Sequence, residues 1–417
     1  MRVMNAALIC ALALACSAGL LAAEERLDAG ISVERIRRVG AKLQEFVETE
    51  RLPGAVTIIY RRGKIVDAQA VGWQDREQRT PMRRDTIFRL ASMTKPITAV
   101  AMMMLIEDGK IAFDDPLDRW LPELANRQVL LDPEGPLDKT KLSPRPITVR
   151  DLLMYRIGLG MNAASGSAPI TKAAGSIGGN LTGDEWVKRL ATLPLAASPG
   201  ERFIYNTPSQ LMGVLVARVS GMPFDTFLQQ RIFQPLGMKD TAFWVPLEKR
   251  SRLATAYTFD EKTGKLQVNK SPLAGMMDTP PVFPSGAGGL VTTADDYLKF
   301  ARMLLQKGEV DGVRLLSPKA VQVMTTDYMT KEDRKRANFG DVFDNQGFGY
   351  GLAVVSDSGF IGPSIGSFHW DGASGASWIA DPKEDLITIV LMQQYNYGVA
   401  SRVVRDVNTL VYSAIVN

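Results

Sequence analysis

The chain has 417 residues, enough for one large domain or two moderate ones. Apolar residues make up 46 % and charged residues 23 %, an ordinary globular balance. The formal charge of +4 is spread without a dense Lys/Arg block, so nucleic-acid binding has little electrostatic support.

The first residues, "MRVMNAALICALALACSAGLLAAEERL", place one arginine before an apolar core from Ala6 to about Leu21, then small residues, then Glu24 and Glu25. This is the outline of a secretory signal peptide over residues 1–23, with cleavage expected after Ala22 or Ala23. The alternative, an uncleaved membrane helix, wants ~20 strongly apolar residues, and this stretch is shorter and rich in alanine. A lipoprotein cysteine at Cys16 is disfavoured by Ala13 three places earlier. Both cysteines, Cys10 and Cys16, lie inside the segment. A mature chain from residue 24 would therefore hold no disulfide, no thiolate nucleophile and no cysteine-bound metal. The expected location is the periplasm or the exterior of a bacterial cell, with no membrane span after cleavage.

Residues 28–50 carry Ile31, Ile36, Val39, Leu43, Phe46 and Val47 at helical spacing. Two β-branched runs flank Arg61–Gly63 and predict a hairpin. From Pro96 to Glu107 the apolar run is nearly continuous and stops at Asp108–Gly109, which predicts a buried helix. Residues 114–147 are proline-rich and read as loops, and "ITVRDLLMYRIGLG" reads as a short helix ending at Gly158. Residues 161–180 are small and polar without periodicity, which predicts a flexible loop or lid. Helices follow at Asp184–Thr192, Thr207–Ser220 and Phe224–Phe233.

After about Gly286 the pattern turns to strands: "GFGYGLAVV", "ASWIAD" and a deeply buried "DLITIVLMQQ". "KEDRKRANFGD" (331–341) reads as a solvated loop and 399–416 as a helix. Strands at both ends and helices between predict an α/β (α+β) chain. One antiparallel sheet, flanked by helices, would come from about 24–110 plus 286–417, with a mainly helical insertion at about 111–285.

His369 is the only histidine, which removes His-rich metal sites and H-E-x-x-H hydrolysis. No metal or cofactor is expected. "GPSIG" (362–366) matches the nucleophile-elbow pattern G-x-S-x-G, but that elbow needs a strand before the serine and a helix after it. Glycine and proline break up this region and the sequence after it is strand-like, so Ser364 reads as a loop serine. "SMTK" places Ser92 and Lys95 three apart at a helix start, on one face. A desolvated lysine loses its proton readily and can take one from a neighbouring hydroxyl. A helix N-terminus adds free N–H groups that suit an oxyanion. Alone, the tetrapeptide is short and common, and a capped helix with a solvated lysine is the leading account of it.

Longer segments narrow the choice. "IFRLASMTKPITAVAMMMLIEDGKIAFDDPLDRWLP", "PGERFIYNTPSQLMGVLVARVSG", "SGAGGLVTTADDYLKFARMLL" and "FHWDGASGASWIADPKEDLITIVLMQQ" resemble, in order, the motif blocks of the serine β-lactamase/penicillin-binding superfamily. The resemblance is to its class C-like branch, which includes the family VIII carboxylesterases, and covers nearly all of residues 24–417. It implies the β-lactamase/transpeptidase-like fold. It also implies Ser92 as nucleophile, Lys95 as its activating partner and Tyr205 as a proton relay. Nearby ammonium charge would lower Tyr205 toward phenolate. By position, the oxyanion hole would be the backbone N–H groups of Ser92 and Ala373.

Departures from the family pattern bear on the substrate. Where β-lactamases have Y-x-N, this chain has Tyr205-Asn206-Thr207. Thr207 takes the substrate-binding place and also suits a helix cap before Pro208. Where they have K-T-G, it has Trp370-Asp371-Gly372. The cation is lost and a carboxylate gained, which disfavours an anionic β-lactam, and an apolar wall at Trp370 suits a neutral ester. "RIGL" (156–159) replaces the common T-S-G-L turn. His369, on the opposite face of its strand from Trp370, reads as structural. The resulting expectation is an exported serine carboxylesterase for small-molecule esters of short to medium chain. The rivals are a β-lactamase or D-alanyl-D-alanine carboxypeptidase and a non-catalytic sensor.

Overall fold

The computed structural model describes residues 26–417 apart from 179, 272–274 and 276, so the expected signal segment and its two cysteines lie outside the described residues. Ser32 opens helix α1 (Val33–Glu48) by accepting from the Arg35 amide, and Ile36, Val39, Leu43 and Phe46 form its buried stripe. Strand β1 (Gly54–Arg61) follows, and β2 (Lys64–Asp75) pairs antiparallel with it. Their turn puts both Arg62 and Gly63 at positive φ, +48° and +88°. A two-residue hairpin on right-twisted strands needs this geometry. β3 (Thr80–Pro81) adds an edge, and then comes helix α2 (Thr94–Glu107), buried from Thr94 to Leu105.

Helix α3 (Thr207–Ser220) is the long helix of the central region, and α4 (Ala294–Leu305) leads back to the sheet. The other strands of the main sheet are β4 (Gln346–Phe348), β5 (Ala353–Val355), β6 (Phe368–His369), β7 (Ser377–Asp381) and β8 (Leu386–Met392). Helix α5 (Tyr397–Ser413) closes the chain. The eight strands form one antiparallel sheet in the order β4-β5-β6-β7-β8-β1-β2-β3. The first and last parts of the chain thus meet at β8–β1.

Strand alternation divides the core in two. Val56, Ile58 and Tyr60 of β1, with Ile387, Ile389 and Leu391 of β8, face α2, α4 and the helical region. Ala55 and Ile59, with Leu386, Val390 and Met392, face α1 and α5. Both central strands are therefore buried on both faces, which is why "DLITIVLM" has no polar alternation. Among the described residues no single helix is long and apolar enough to cross a membrane.

Four local expectations need correction. "KEDRKR" is a helix, Lys331–Arg336, because Thr330 and Asp333 cap it reciprocally. The stretch 161–180 holds a helix at Pro169–Gly175 and is tied at Asn162 to the residues around Tyr205. "GFGYGLAVV" is two strands, β4 and β5, rather than one. Thr207 is the first helical residue of α3, not its cap. Asn206 stands at the cap position with φ +77° and ψ −61° and makes no side-chain capping bond.

Candidate active site

Ser92 lies in a single 3-10 turn, Ala91–Met93, directly before α2. Ala91 has φ +46°, an uncommon conformation for a non-glycine residue and a local strain. The turn is held from outside: Leu90 N–H donates to Leu290 O (2.9 Å), and Tyr297 Oη donates to Met93 O (3.1 Å). Ser92 makes no capping bond to the helix, so its hydroxyl is left for other partners.

Lys95 is fully buried in the first turn of α2. Its Nζ lies 2.9 Å from Ser92 Oγ and 2.5 Å from Ala287 O, and 4.5 Å from the centre of the Tyr205 ring. Burial pushes the Lys95 ammonium well below the ordinary lysine range. The solvated-lysine account of "SMTK" is therefore incorrect for this fold. A neutral amine at this place still donates to Ala287 O and keeps a lone pair for a proton.

Tyr205 is buried, and its hydroxyl is hydrogen-bonded to Ser92 and accepts from Trp370 Nε1 at 2.9 Å. Burial is the largest influence on the phenol and raises it well above the ordinary tyrosine range. The bonds to Ser92 and Trp370 oppose this, and the Asp371 charge adds to it. The expected drift toward phenolate is thus reversed. Burial works against a charge on Lys95 as well, and Trp370 contributes a neutral N–H where a K-T-G sequence would supply an ammonium. Burial thus disfavours charge on both groups that flank the serine.

The Tyr205 ring sits in an aromatic cluster with Phe203, Phe339 and Trp370, at ring-centre distances of 6.3, 4.8 and 5.6 Å. Its backbone N–H donates to Asn162 Oδ1 (2.6 Å), and its carbonyl accepts from Met161 N–H (3.0 Å). Thr207 N–H bonds to Tyr205 O (3.1 Å) across Asn206, closing a γ-turn of the rare positive-φ kind. This turn lets the chain reverse from Tyr205 straight into α3, and it leaves Thr207 half-buried at the helix start.

Trp370-Asp371-Gly372 follows β6. Gly372 has no space for a side chain, since a Cβ there would lie 2.2 Å from Leu90 O. The end of β6 is thereby pressed against the residue two places before Ser92. Gly372 N–H donates to Ala376 O (2.7 Å) and Gly375 N–H to Gly372 O (2.9 Å), which shapes the turn that carries Ala373. Trp370 faces Tyr205. Asp371 accepts from Ser377 Oγ (2.6 Å) and, with His369, lines a cavity of about 250 Å³ against α5. His369 Nε2 is 2.6 Å from Gln346 Oε1, and burial lowers its pKa. Ser364 sits in a turn with neither a preceding strand nor a following helix, its amide held by Asp381 Oδ2 (2.9 Å). Among the described residues no three His, Cys, Asp or Glu side chains gather as a metal site.

Sequence reasoning missed Ala287, Asn162 and Phe339. The glycine-rich run 285–289 marks a close approach, but nothing in it announces that a carbonyl will meet Lys95. Asn162 and Phe339 lie in segments that read as loops.

The Beta-lactamase family profile matches residues 39–411. Protein Rv1367c of Mycobacterium tuberculosis is 41 % identical over 359 residues, covering 85 % of this chain and 88 % of that one. Esterase EstB of Burkholderia gladioli is 30 % identical over 396 residues, covering 90 % and 95 %. The solved structure of EstCE1, described as a hydrolase with promiscuous acyltransferase activity, superposes with a TM-score of 0.77 at 27 % identity and covers 91 % of this chain and 98 % of that one. The chain belongs to the beta-lactamase family, as a hydrolase-fold member of the serine β-lactamase/penicillin-binding superfamily with esterases among its homologues.

Proposed function

We propose that the protein is an exported serine carboxylesterase, acting through an acyl-enzyme on Ser92 upon neutral esters of short to medium acyl chain. The observation that carries this reading is the fully buried Lys95 amine, 2.9 Å from Ser92 Oγ and packed over the Tyr205 ring. Export rests on the apolar N-terminal segment and places the enzyme in the periplasm or outside the cell.

In this reaction Ser92 Oγ attacks the ester carbonyl as its proton passes to the neutral Lys95 amine. The oxyanion forms against the backbone N–H groups of Ser92 and Ala373. The Ser92 amide belongs to the first turn of a helix, where N–H groups lack intrahelical partners. Tyr205, neutral and bonded to Ser92, gives its proton to the departing alkoxide and recovers one from Lys95. Water then repeats the sequence on the acyl-enzyme. Trp370 orients Tyr205 by its N–H and, with Phe339, offers apolar surface to the substrate; Thr207 borders it from the start of α3.

The absence of a cation at Trp370 favours a neutral ester over a substrate with a ring carboxylate, and the Asp371 charge acts in the same direction. The test is a panel of p-nitrophenyl esters and nitrocefin with wild type and Ser92→Ala. Wild type is expected to turn over p-nitrophenyl butyrate, Ser92→Ala to lose ~10³-fold or more, and nitrocefin to be slow. Nitrocefin turnover at the ester rate would replace this reading with a β-lactamase. Full ester activity in Ser92→Ala would remove the serine from the chemistry.

A further inference from the structure

Tyr155 is fully buried, and its backbone has φ +57°, a strained conformation for an aromatic residue. Strain of this kind persists only where the surroundings over-determine it. Five contacts do so here. Tyr155 O accepts from the Ile204 amide at 2.7 Å, one residue before Tyr205. The Tyr155 ring stacks on Phe203 (5.6 Å) and lies 6.0 Å from the Tyr205 ring. It also packs against Phe348 (4.8 Å), the ring that meets Trp370 edge-on. Its hydroxyl is hydrogen-bonded to Ser209 Oγ, in the first turn of α3.

Ser209 stands where the Tyr205 and Lys95 supports meet. Its amide donates to Asn206 O (3.1 Å), the residue of the γ-turn that follows Tyr205. Its carbonyl lies against Gly286, where a Cβ would approach to 2.5 Å. The next residue, Ala287, supplies the carbonyl that holds Lys95 Nζ. Tyr155 thus grips the chain on both sides of Tyr205, at Ile204 by its backbone carbonyl and at Ser209 by its side-chain hydroxyl. The second grip also abuts the strip that fixes Lys95.

We propose that Tyr155 is a positioning residue whose hydroxyl, through Ser209, fixes the γ-turn at Asn206 and so aims the Tyr205 hydroxyl at Ser92. Tyr155 touches no reacting atom. Burial keeps its phenol neutral far above the ordinary tyrosine range, so it acts as a fixed hydrogen-bonding group and not as an acid or base. This inference rests on the reading of Tyr205 as the proton relay.

The test is steady-state hydrolysis of ethyl butyrate by Tyr155→Phe, Ser209→Ala and their double variant, each with Tyr205 intact and in a Tyr205→Phe background. With Tyr205 intact, each single variant is expected to lose ~10-fold in kcat with KM within about twofold, since small misplacements of a reacting group are costly. The double variant should lose no more than either single one, because both remove one hydrogen bond. In the Tyr205→Phe background neither change should lower the rate further. Wild-type kcat in both Tyr155→Phe and Ser209→Ala would overturn the proposal. So would an equal further loss in the Tyr205→Phe background, which marks a merely structural role. A Tyr205→Phe enzyme at the wild-type rate would instead overturn the relay reading itself, so the two failures are distinguishable.

Discussion

Lys95→Met is expected to abolish ester hydrolysis and, at neutral pH, to raise Tm. The first half follows from the 2.9 Å contact between Nζ and Ser92 Oγ, which is the proposed route for the serine proton. Losing a positioned base that acts as a unit with its nucleophile should cost ~10³-fold or more in kcat. The second half follows from linkage. In the unfolded chain the lysine holds its proton to about pH 10.4, while in the fold burial drives its pKa well down. Between those two values the unfolded state binds more protons, so stability rises with pH across this window. Within that window the buried lysine destabilises the fold relative to the unfolded chain, in which it stays charged and solvated. Methionine has a similar shape and no proton to lose, but it orphans the Ala287 carbonyl at ~1–3 kcal/mol. The variant is expected to be the more stable at pH 7, with removal of the desolvated amine outweighing the orphaned carbonyl, and its advantage should shrink toward pH 10. Thermal melts at several pH values check the sign. A destabilised variant at pH 7 would show that Lys95 contributes as a hydrogen-bonding group more than it costs as a desolvated one.

Tyr205→Phe is expected to lower kcat by ~10²–10³ while leaving KM nearly unchanged. The substitution keeps the ring, and with it the packing against Phe203, Phe339 and Trp370. It removes the oxygen that links Ser92 to Trp370 Nε1. The loss should depend on the leaving group. Nitrophenolate departs without a proton, whereas ethoxide needs one, so ethyl butyrate should suffer far more than p-nitrophenyl butyrate. Equal losses on the two esters would assign Tyr205 to serine activation alone. The wild-type pH profile is a companion check. kcat/KM should fall with acidification through the lowered Lys95 value. It should show no alkaline decline from Tyr205 near pH 10, the ordinary tyrosine value, because burial has raised that group.

Sequence carried the elements whose pattern is local. The hairpin at Arg62–Gly63, helix α2 and the doubly buried β8 all declare themselves through period, turn residues and run length. Ser92 and Lys95 were legible as a pair because both lie within one turn of chain. Tyr205 and Trp370 required the resemblance, since only tertiary structure brings residues 165 positions apart to 2.9 Å. The charge state of the site was misread for a related reason. The resemblance sets a lysine near a tyrosine, but burial decides which of them keeps a charge, and here it disfavours charge on both. The supports of Tyr205 were invisible: Asn162 sits in a stretch of small residues without period, and Tyr155 adopts a backbone conformation that its residue type disfavours. "KEDRKR" looked like solvated loop because charge hid the Thr330–Asp333 capping box.

The most direct test of the central claim is to trap the intermediate. Wild-type enzyme mixed with p-nitrophenyl butyrate, acid-quenched within the first turnover and digested, should carry a butyryl group on the peptide containing Ser92, and Ser92→Ala should carry none. Rapid turnover with no adduct on that peptide, or with the adduct on Ser364, would contradict the account.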